Sequence, residues 1–272
     1  MRFVVTAPPY SDKSAGIVML YLLRDELKGL GYDAEIMPFD KPITIPDDTI
    51  VVYPEVVDGN PLKAKNVARY YLNREGMASG NKVNASPNDF ILAFNKLYHD
   101  NPHAIVRYED ISSHCYFGNK LTLNRKLDCT YIGKGSMYSD ECKVIEGTIE
   151  ITRTAPAEKE GYADLLRQTR FLFSYDCYSK VNAEATICGA IVVPLLFHPY
   201  KAEELEHPFA SIVDNAVHIP PDYEEKRGAY ISMLQGFNLA KQTESFAQKA
   251  IAYFSDNPTA SSLLCLAHPS SS

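Results

Sequence analysis

Polar residues follow the apolar run 171–174 in an order that suggests ligand binding. The run is typical of a buried strand, and Asp176 comes just past its end, where open α/β sheets bind their ligands. Ser179 is placed to cap a helix, and Glu184 lies one turn into that helix, at the margin of its apolar face. A carboxylate there can accept two hydrogen bonds from a ribose, and the N–H groups at a helix start suit a diphosphate.

The whole stretch from 171 to 194 resembles the donor-site signature of GT-B glycosyltransferases. That signature has a strand ending in Ser and an acid, a polar loop, Glu-Ala, three residues and Gly, and a strand ending in Pro. The matching positions are Ser174, Asp176, Glu184, Ala185, Gly189 and Pro194. The resemblance implies that Glu184 holds the nucleotide ribose and that Ser179, Asn182 and Ala183 lie beside the phosphates or the sugar. The alternative is an ordinary Rossmann-like helix whose Glu favours the helix dipole.

Two basic residues follow other predicted strands of the same half. Lys134 stands between two glycines in Ile132-Gly-Lys-Gly135, which makes a tight basic turn. In the GT-B arrangement this turn faces the donor diphosphate, so Lys134 is expected to neutralise it. Arg153 is a second candidate for a phosphate or base-edge contact. Plain surface positions are the alternative for both residues.

The N-terminal half offers two further candidates. The first strand is followed by Ser14-Ala15-Gly16, where similar glycosyltransferases place a small-residue loop whose backbone meets the donor phosphates or the acceptor. The resemblance implies that Gly16 permits this close approach, although a simple cap and turn explains it equally well. Glu55 follows a strand and is a candidate general base toward an acceptor hydroxyl, with a solvated turn as the alternative. The next segment, 62–72, is predicted to be a helix whose Lys63, Lys65, Asn66 and Arg69 form a solvated face.

Metal and thiol chemistry find no support in the residue spacing. The seven histidines form no metal motif, and the six cysteines include no CxxC pair. His99, His103 and His114 lie near the predicted boundary between lobes, where one of them is a candidate acid/base or phosphate contact and a surface position is the alternative. We therefore expect no metal and no cofactor, the nucleotide-diphosphate sugar being a substrate.

The elements that must position these residues alternate along the chain. Predicted strands cover 3–7, 34–39, 50–53, 90–94, 104–108, 130–133, 145–152, 171–174 and 190–196. Predicted helices cover 14–30, 62–72, 158–168, 179–188 and 223–254, the last broken near Gly236. Such alternation calls for parallel strands with helical crossovers. The expected fold class is α/β, with two Rossmann-like lobes facing a cleft in a compact GT-B architecture: an acceptor lobe at 1–115, a nucleotide-sugar lobe at 116–255, and a loose tail at 256–272.

Composition limits the partners. The chain has 27 Lys and Arg against 34 Asp and Glu, a net charge of −7, which argues against a general electrostatic grip on nucleic acid. No run approaches the ~20 apolar residues of a membrane span, and the N-terminus does not read as a secretory leader. A cytoplasmic protein is expected, with peripheral membrane contact left open.

The function that these features favour is metal-independent transfer of a sugar from a nucleotide-sugar donor to a hydroxyl acceptor, such as a carbohydrate in polysaccharide or glycan biosynthesis. The alternative is a non-catalytic nucleotide- or sugar-binding protein, or an inactive glycosyltransferase relative. An epimerase or a phosphorylase-like enzyme on the same fold is a weaker third reading. The base, the sugar, the stereochemical outcome and the oligomeric state stay open.

Overall fold

The structure is a computed structural model and describes residues 1–39, 44–78, 80, 82–109, 125–152 and 154–256. Its strands are β1 (Arg2–Thr6), β2 (Ala34–Met37), β3 (Thr49–Pro54), β4 (Asn66–Tyr71), β5 (Phe90–Ala93), β6 (Ala104–Ile105), β7 (Leu127–Tyr131), β8 (Ile149–Ile151), β9 (Thr169–Ser174), β10 (Ile191–Pro194), β11 (Ser211–Val213) and β12 (Ala216–His218). Its α-helices are α1 (Ala15–Gly29), α2 (Lys159–Gln168), α3 (Lys180–Cys188), α4 (Tyr223–Gln235) and α5 (Leu239–Asp256). No described helix combines the length and apolar character that a membrane span requires.

The chain forms two compact units, one made of Met1–Tyr108 with the described residues 238–256, the other falling within Glu109–Phe237. Each unit contains a parallel sheet with helices packed on it, so the α/β class is confirmed. The first sheet has the order β2-β1-β3-β4-β5-β6, and the second has the order β10-β9-β7-β8.

Helices α1 and α5 cover one face of the first sheet. Ser14 caps α1 as predicted, because its Oγ accepts a hydrogen bond from the Ile17 N–H at 3.4 Å. From α5, Phe246 packs against Phe3 and Phe90 of the sheet. The break between α4 and α5 near Gly236 is confirmed. Helix α5 nevertheless packs on the first unit, whereas the sequence analysis assigned it to the second lobe; an apolar helix face shows that a helix is buried, not which sheet buries it.

The predicted helix at 62–72 is wrong, because this segment contains β4, which pairs with both β3 and β5. All six residues of β4 are buried. Arg69 is 1% exposed and pairs with Asp89 at 2.8 Å, donates to Val57 O at 3.1 Å and also hydrogen-bonds Gly59 O. Asn66 and Arg69 are therefore core residues rather than parts of a solvated face, and only Lys63 and Lys65 are exposed.

Loops, not helices, cover the opposite face of the first sheet. The described residues of the β3–β4 and β4–β5 connections include no helix. Instead, Val57, Leu62 and Ala64 of the β3–β4 connection pack on Tyr53 and neighbouring strand residues. The expectation of helical crossovers throughout thus fails here.

In the second unit, α2 and α3 pack on one face of the sheet through the following buried residues: Cys129, Leu166, Leu172, Ala185 and Cys188. The other face carries α4, through Tyr223, and the β11–β12 hairpin. This hairpin was not among the predicted elements. Its turn residues Asp214 and Asn215 both have positive φ (50° and 63°), the geometry of a two-residue hairpin turn that Asp and Asn favour.

Candidate functional site

The second sheet has a topological switch point between β7 and β9. From β7 the chain moves outward to β8 on one side, and from β9 it moves outward to β10 on the other. The connections at the carboxyl ends of β7 and β9 therefore diverge, which is where ligands bind in open α/β sheets. A 3₁₀ turn, Gly133–Met137, follows β7, and the loop with Asp176 follows β9.

Two glycines let these two connections touch. A Cβ on Gly133, which has φ +52°, would lie 2.7 Å from Asp176 Oδ2 and 2.6 Å from Tyr131 Cε1. A Cβ on Gly135 would lie 2.5 Å from the Tyr175 Cβ. No real Cβ tolerates such distances, so the pair of glycines around Lys134 is required by the packing of the two loops.

Lys134 and Asp176 meet at this contact. The Lys134 N–H donates to Asp176 Oδ2 at 3.1 Å, and the Lys134 ammonium lies 3.7 Å from Asp176 Oδ1. The Asp176 side chain is 6% exposed, whereas that of Lys134 is 27% exposed. The backbone bond fixes the carboxylate, while the ammonium can turn toward an anionic ligand, because a lysine side chain is long and flexible.

Ser174 and Asn182 hold the loop rather than face solvent. The Ser174 hydroxyl donates to Asp176 O at 3.1 Å. The Asn182 amide donates to Asp176 O at 3.0 Å and to Cys177 O at 2.9 Å. Both side chains are 0% exposed, and Asn182 Oδ1 is buried with no hydrogen-bond partner. The two residues belong to the site as supports of the Asp176 loop.

Helix α3 begins beside this loop. Ser179 caps it as predicted, with Oγ accepting from the Asn182 N–H at 3.3 Å. The partial positive charge of the helix start thus lies next to Asp176 and Lys134. Ala183 is 5% exposed and packs on Tyr230 of α4, so its side chain is part of the core.

Glu184 is held between two neighbours. Its Oε2 accepts a hydrogen bond from the Tyr162 hydroxyl of α2 at 2.7 Å, and its Oε1 lies 3.4 Å from the Lys180 ammonium. The side chain is 16% exposed. Both carboxylate oxygens are engaged, so a ribose would have to share Oε1 with Lys180. Tyr162 is a partner that the sequence analysis did not identify, since it lies 22 residues away on another helix.

Aromatic residues that the sequence analysis passed over flank the Asp176 loop. Tyr138 follows the turn after β7, and its ring meets His198, from the connection after β10, edge to face at 5.1 Å. Burial raises the pKa of Tyr138, with the negative charge of Asp176 adding to the shift. Tyr178 and Tyr200 stand 4.9 Å apart, ring to ring. These aromatic residues could have been identified from their positions in the sequence, because each lies in a connection that follows a strand of the second sheet.

The residue after Asp176 is not a nucleophile. Burial raises the pKa of the Cys177 thiol to about 11, with Asp176 contributing, so the thiol stays protonated at neutral pH. Its Sγ donates to Phe197 O at 3.4 Å. The buried His207 contacts the same residue, with its Nε2 3.1 Å from Cys177 O. Burial lowers the pKa of His207, so the imidazole is a neutral structural group.

The candidates of the first unit lie at the carboxyl ends of its strands. Gly16 is in the first turn of α1, where a Cβ would approach Leu72 no closer than 3.7 Å. Glu55 follows β3, is 4% exposed, and accepts a hydrogen bond from the Leu72 N–H at 3.0 Å. Its burial makes it a structural acceptor in this conformation. Arg153 and His114 lie outside the described residues.

Among the residues that the structure describes, no group of three or more His, Cys, Asp or Glu side chains is arranged to hold a metal ion. Metal independence remains a prediction.

No protein-family model matches the chain, and no curated protein matches it. Among solved structures, the chain is similar to an alpha-glucosyltransferase in complex with UDP and a 13-mer DNA containing a HMU base. The sequence identity is 9%, the TM-score is 0.41, and the match covers 93% of this chain and 94% of that one. At that distance the likeness carries no inference about function.

Proposed function

We propose that this chain is a glycosyltransferase that binds a nucleotide-diphosphate sugar and transfers the sugar to a hydroxyl acceptor, in the assembly of a polysaccharide or another glycan. The observation that carries the proposal is the contact of Lys134 with Asp176 at the switch point, beside the start of α3. It supplies a cation, a fixed carboxylate and a helix N-terminus within one small region.

In this proposal the donor diphosphate lies at the start of α3, and the Lys134 ammonium leaves Asp176 Oδ1 to pair with it. Departure of the nucleotide builds negative charge on the diphosphate, which an ammonium and a helix N-terminus stabilise without a metal. Asp176 is kept in place by the Lys134 N–H, so its free oxygen can accept a hydrogen bond from a sugar hydroxyl.

The proposed ribose contact of Glu184 is more demanding than the sequence suggested. Because Tyr162 and Lys180 already engage the carboxylate, a ribose hydroxyl must share Oε1 with Lys180 or replace it there, while Tyr162 keeps Oε2. The Lys180–Glu184 pair spaced i, i+4 is a partly exposed ion pair, which contributes at most about 1 kcal/mol. A ligand can therefore displace Lys180 from Glu184 at a small cost in free energy.

A non-catalytic nucleotide-sugar-binding protein is the second candidate. The burial of Glu55 favours it, because a carboxylate that is 4% exposed and bonded to the Leu72 N–H is poorly placed to take a proton from an acceptor hydroxyl. The two candidates share the donor site and differ only in turnover.

The test is a panel of UDP-, GDP-, ADP- and dTDP-sugars, scored by thermal shift and by nucleotide release with simple sugar acceptors. The proposed enzyme shifts its melting temperature with one donor class and releases the nucleotide. If a donor shifts the melting temperature but no nucleotide is released with any acceptor, the protein is the non-catalytic binding protein. The absence of any shift with every nucleotide rejects both.

A further inference from the structure

A trough lies between β6 and α5 of the first unit. Its volume is about 430 Å³, and eight residues line it: Pro102, His103, Ala104, Ile105, Lys241, Gln242, Ser245 and Lys249. Strand β6 is the last strand of its sheet, so this wall of the trough is a sheet edge. The volume falls in the range of small-molecule sites, ~300–1,000 Å³.

The two walls run in opposite directions. At one end, the Lys249 ammonium lies 3.3 Å from the His103 carbonyl oxygen. At the other end, the Arg107 N–H donates to Gln242 Oε1 at 2.6 Å. The chain thus advances from 103 to 107 along the strand while the helix advances from 242 to 249. The trough is elongated, with Lys241 near one end and Lys249 at the other.

The charges that line the trough are all positive, although the chain carries a net charge of −7. Lys241, Ser245 and Lys249 are spaced i, i+4 and i+8, so they share one face of α5. Glu244, three residues after Lys241, is its neighbour on the helix surface, but it does not line the trough and it accepts a hydrogen bond from Gln248 at 3.4 Å. With a helical rise of 1.5 Å per residue, the two lysine Cα atoms are ~12 Å apart.

His103 adds a neutral donor of fixed orientation. Its Nδ1 accepts a hydrogen bond from the Ile91 N–H at 2.8 Å, so in the neutral ring the proton is on Nε2. The ring stacks on Phe90 at 4.8 Å and meets Tyr253 at 5.1 Å, which locks its plane. The Ser245 hydroxyl lies on the opposite wall, so hydrogen-bond donors come from both strand and helix.

We infer that this trough binds a small molecule carrying two anionic groups about 1 nm apart, each neutralised by one of the two lysines, Lys241 and Lys249. Phosphate groups fit best, because each offers several acceptor oxygens to an ammonium together with neutral donors such as Ser245 and His103. The site belongs to the first unit and does not depend on the proposed donor site of the second.

The test compares a hexose 1,6-bisphosphate with the corresponding monophosphate by titration calorimetry on the full chain at low salt. The bisphosphate should bind at least ~10-fold more tightly than the monophosphate, since only it can engage both lysines. Lys241→Gln and Lys249→Gln should each lower the bisphosphate affinity to nearly that of the monophosphate. Lys28→Gln, an exposed lysine of α1, is the matched control and should change nothing.

Three results would overturn the inference: no saturable bisphosphate binding by the wild-type chain, equal affinity for the two phosphates, or bisphosphate affinity unchanged by both trough variants. Both lysines are exposed, so the variants should fold, and circular dichroism verifies this. A Lys134→Ala chain keeps bisphosphate binding if the two sites are independent. Bisphosphate binding by the Lys134→Ala variant thus tests the trough separately from the proposed glycosyltransferase site.

Discussion

Replacing Asn182 with Ala should destabilise the second unit by about 1–2 kcal/mol. The change removes two hydrogen bonds, to Asp176 O at 3.0 Å and to Cys177 O at 2.9 Å, each contributing about 1 kcal/mol. Neither carbonyl is left bare, because Ser174 Oγ still donates to the first and the His207 ring still contacts the second. Loss of the unpartnered Oδ1 offsets part of the cost.

The matched variant is Asn182→Asp, which keeps the shape of the side chain but replaces the donating amide with oxygen. An acceptor then faces two carbonyl oxygens in a fully buried position, so Asp should be more destabilising than Ala. Urea denaturation followed by circular dichroism measures both free energies of unfolding. If Asp is tolerated as well as Asn, or if Ala is neutral, the assigned role of Asn182 is wrong.

Three further changes test other parts of the structure. Gly135→Ala should disrupt the packing of the two loops and abolish donor binding, because the new Cβ would lie 2.5 Å from the Tyr175 Cβ; calorimetry with the donor measures this. Arg69→Met should lower the free energy of unfolding by ~3–5 kcal/mol, because it strands the buried Asp89 carboxylate. The free energy of unfolding of the wild-type chain should fall as the pH drops below about 6.5, because burial lowers the pKa of His207 from its ordinary value of 6.5. Below that pH the unfolded state binds more protons than the folded state, which favours unfolding. The variant His207→Gln should therefore show a flatter pH dependence of the melting temperature.

The glycine and arginine substitutions each have a matched control variant. Gly29→Ala meets no atom within 4 Å and lies in a helix, so it should be neutral or slightly stabilising. Lys226→Met breaks an ion pair that is 60% and 46% exposed and should cost less than about 1 kcal/mol. A destabilising Gly29→Ala, a harmless Arg69→Met, or an unchanged pH profile in His207→Gln would each contradict the structural account.

Local signals made much of the fold predictable. Ser14 and Ser179 each precede a helix whose apolar residues recur at helical spacing, and both caps form as predicted. The strands β1, β3 and β9 contain short apolar runs; β1 and β3 are almost fully buried, and β9 is partly buried. These features depend on neighbours a few residues apart, which a sequence displays directly.

The failures depend on partners distant in the chain. The segment that contains β4 was predicted to be a helix with Arg69 on its solvated face, but Arg69 is buried against Asp89, which lies 20 residues away. Glu184 looked open to a ligand, but Tyr162 of α2 holds one of its oxygens. The resemblance implied that Ala183 lies beside the phosphates or the sugar, yet its side chain packs on α4. Tertiary packing decides such cases, and residue type and spacing alone do not show it.

The most direct test of the central claim is the affinity of Lys134→Ala for the nucleotide sugar that the panel identifies, compared with the wild type and with Lys226→Ala. Loss of one charge-assisted contact to a diphosphate, worth about 1.5–3 kcal/mol, predicts a roughly 10- to 100-fold weaker Kd for Lys134→Ala. Lys226→Ala should bind as the wild type does. Equal affinity in all three proteins would contradict the placement of the donor at the Lys134–Asp176 contact.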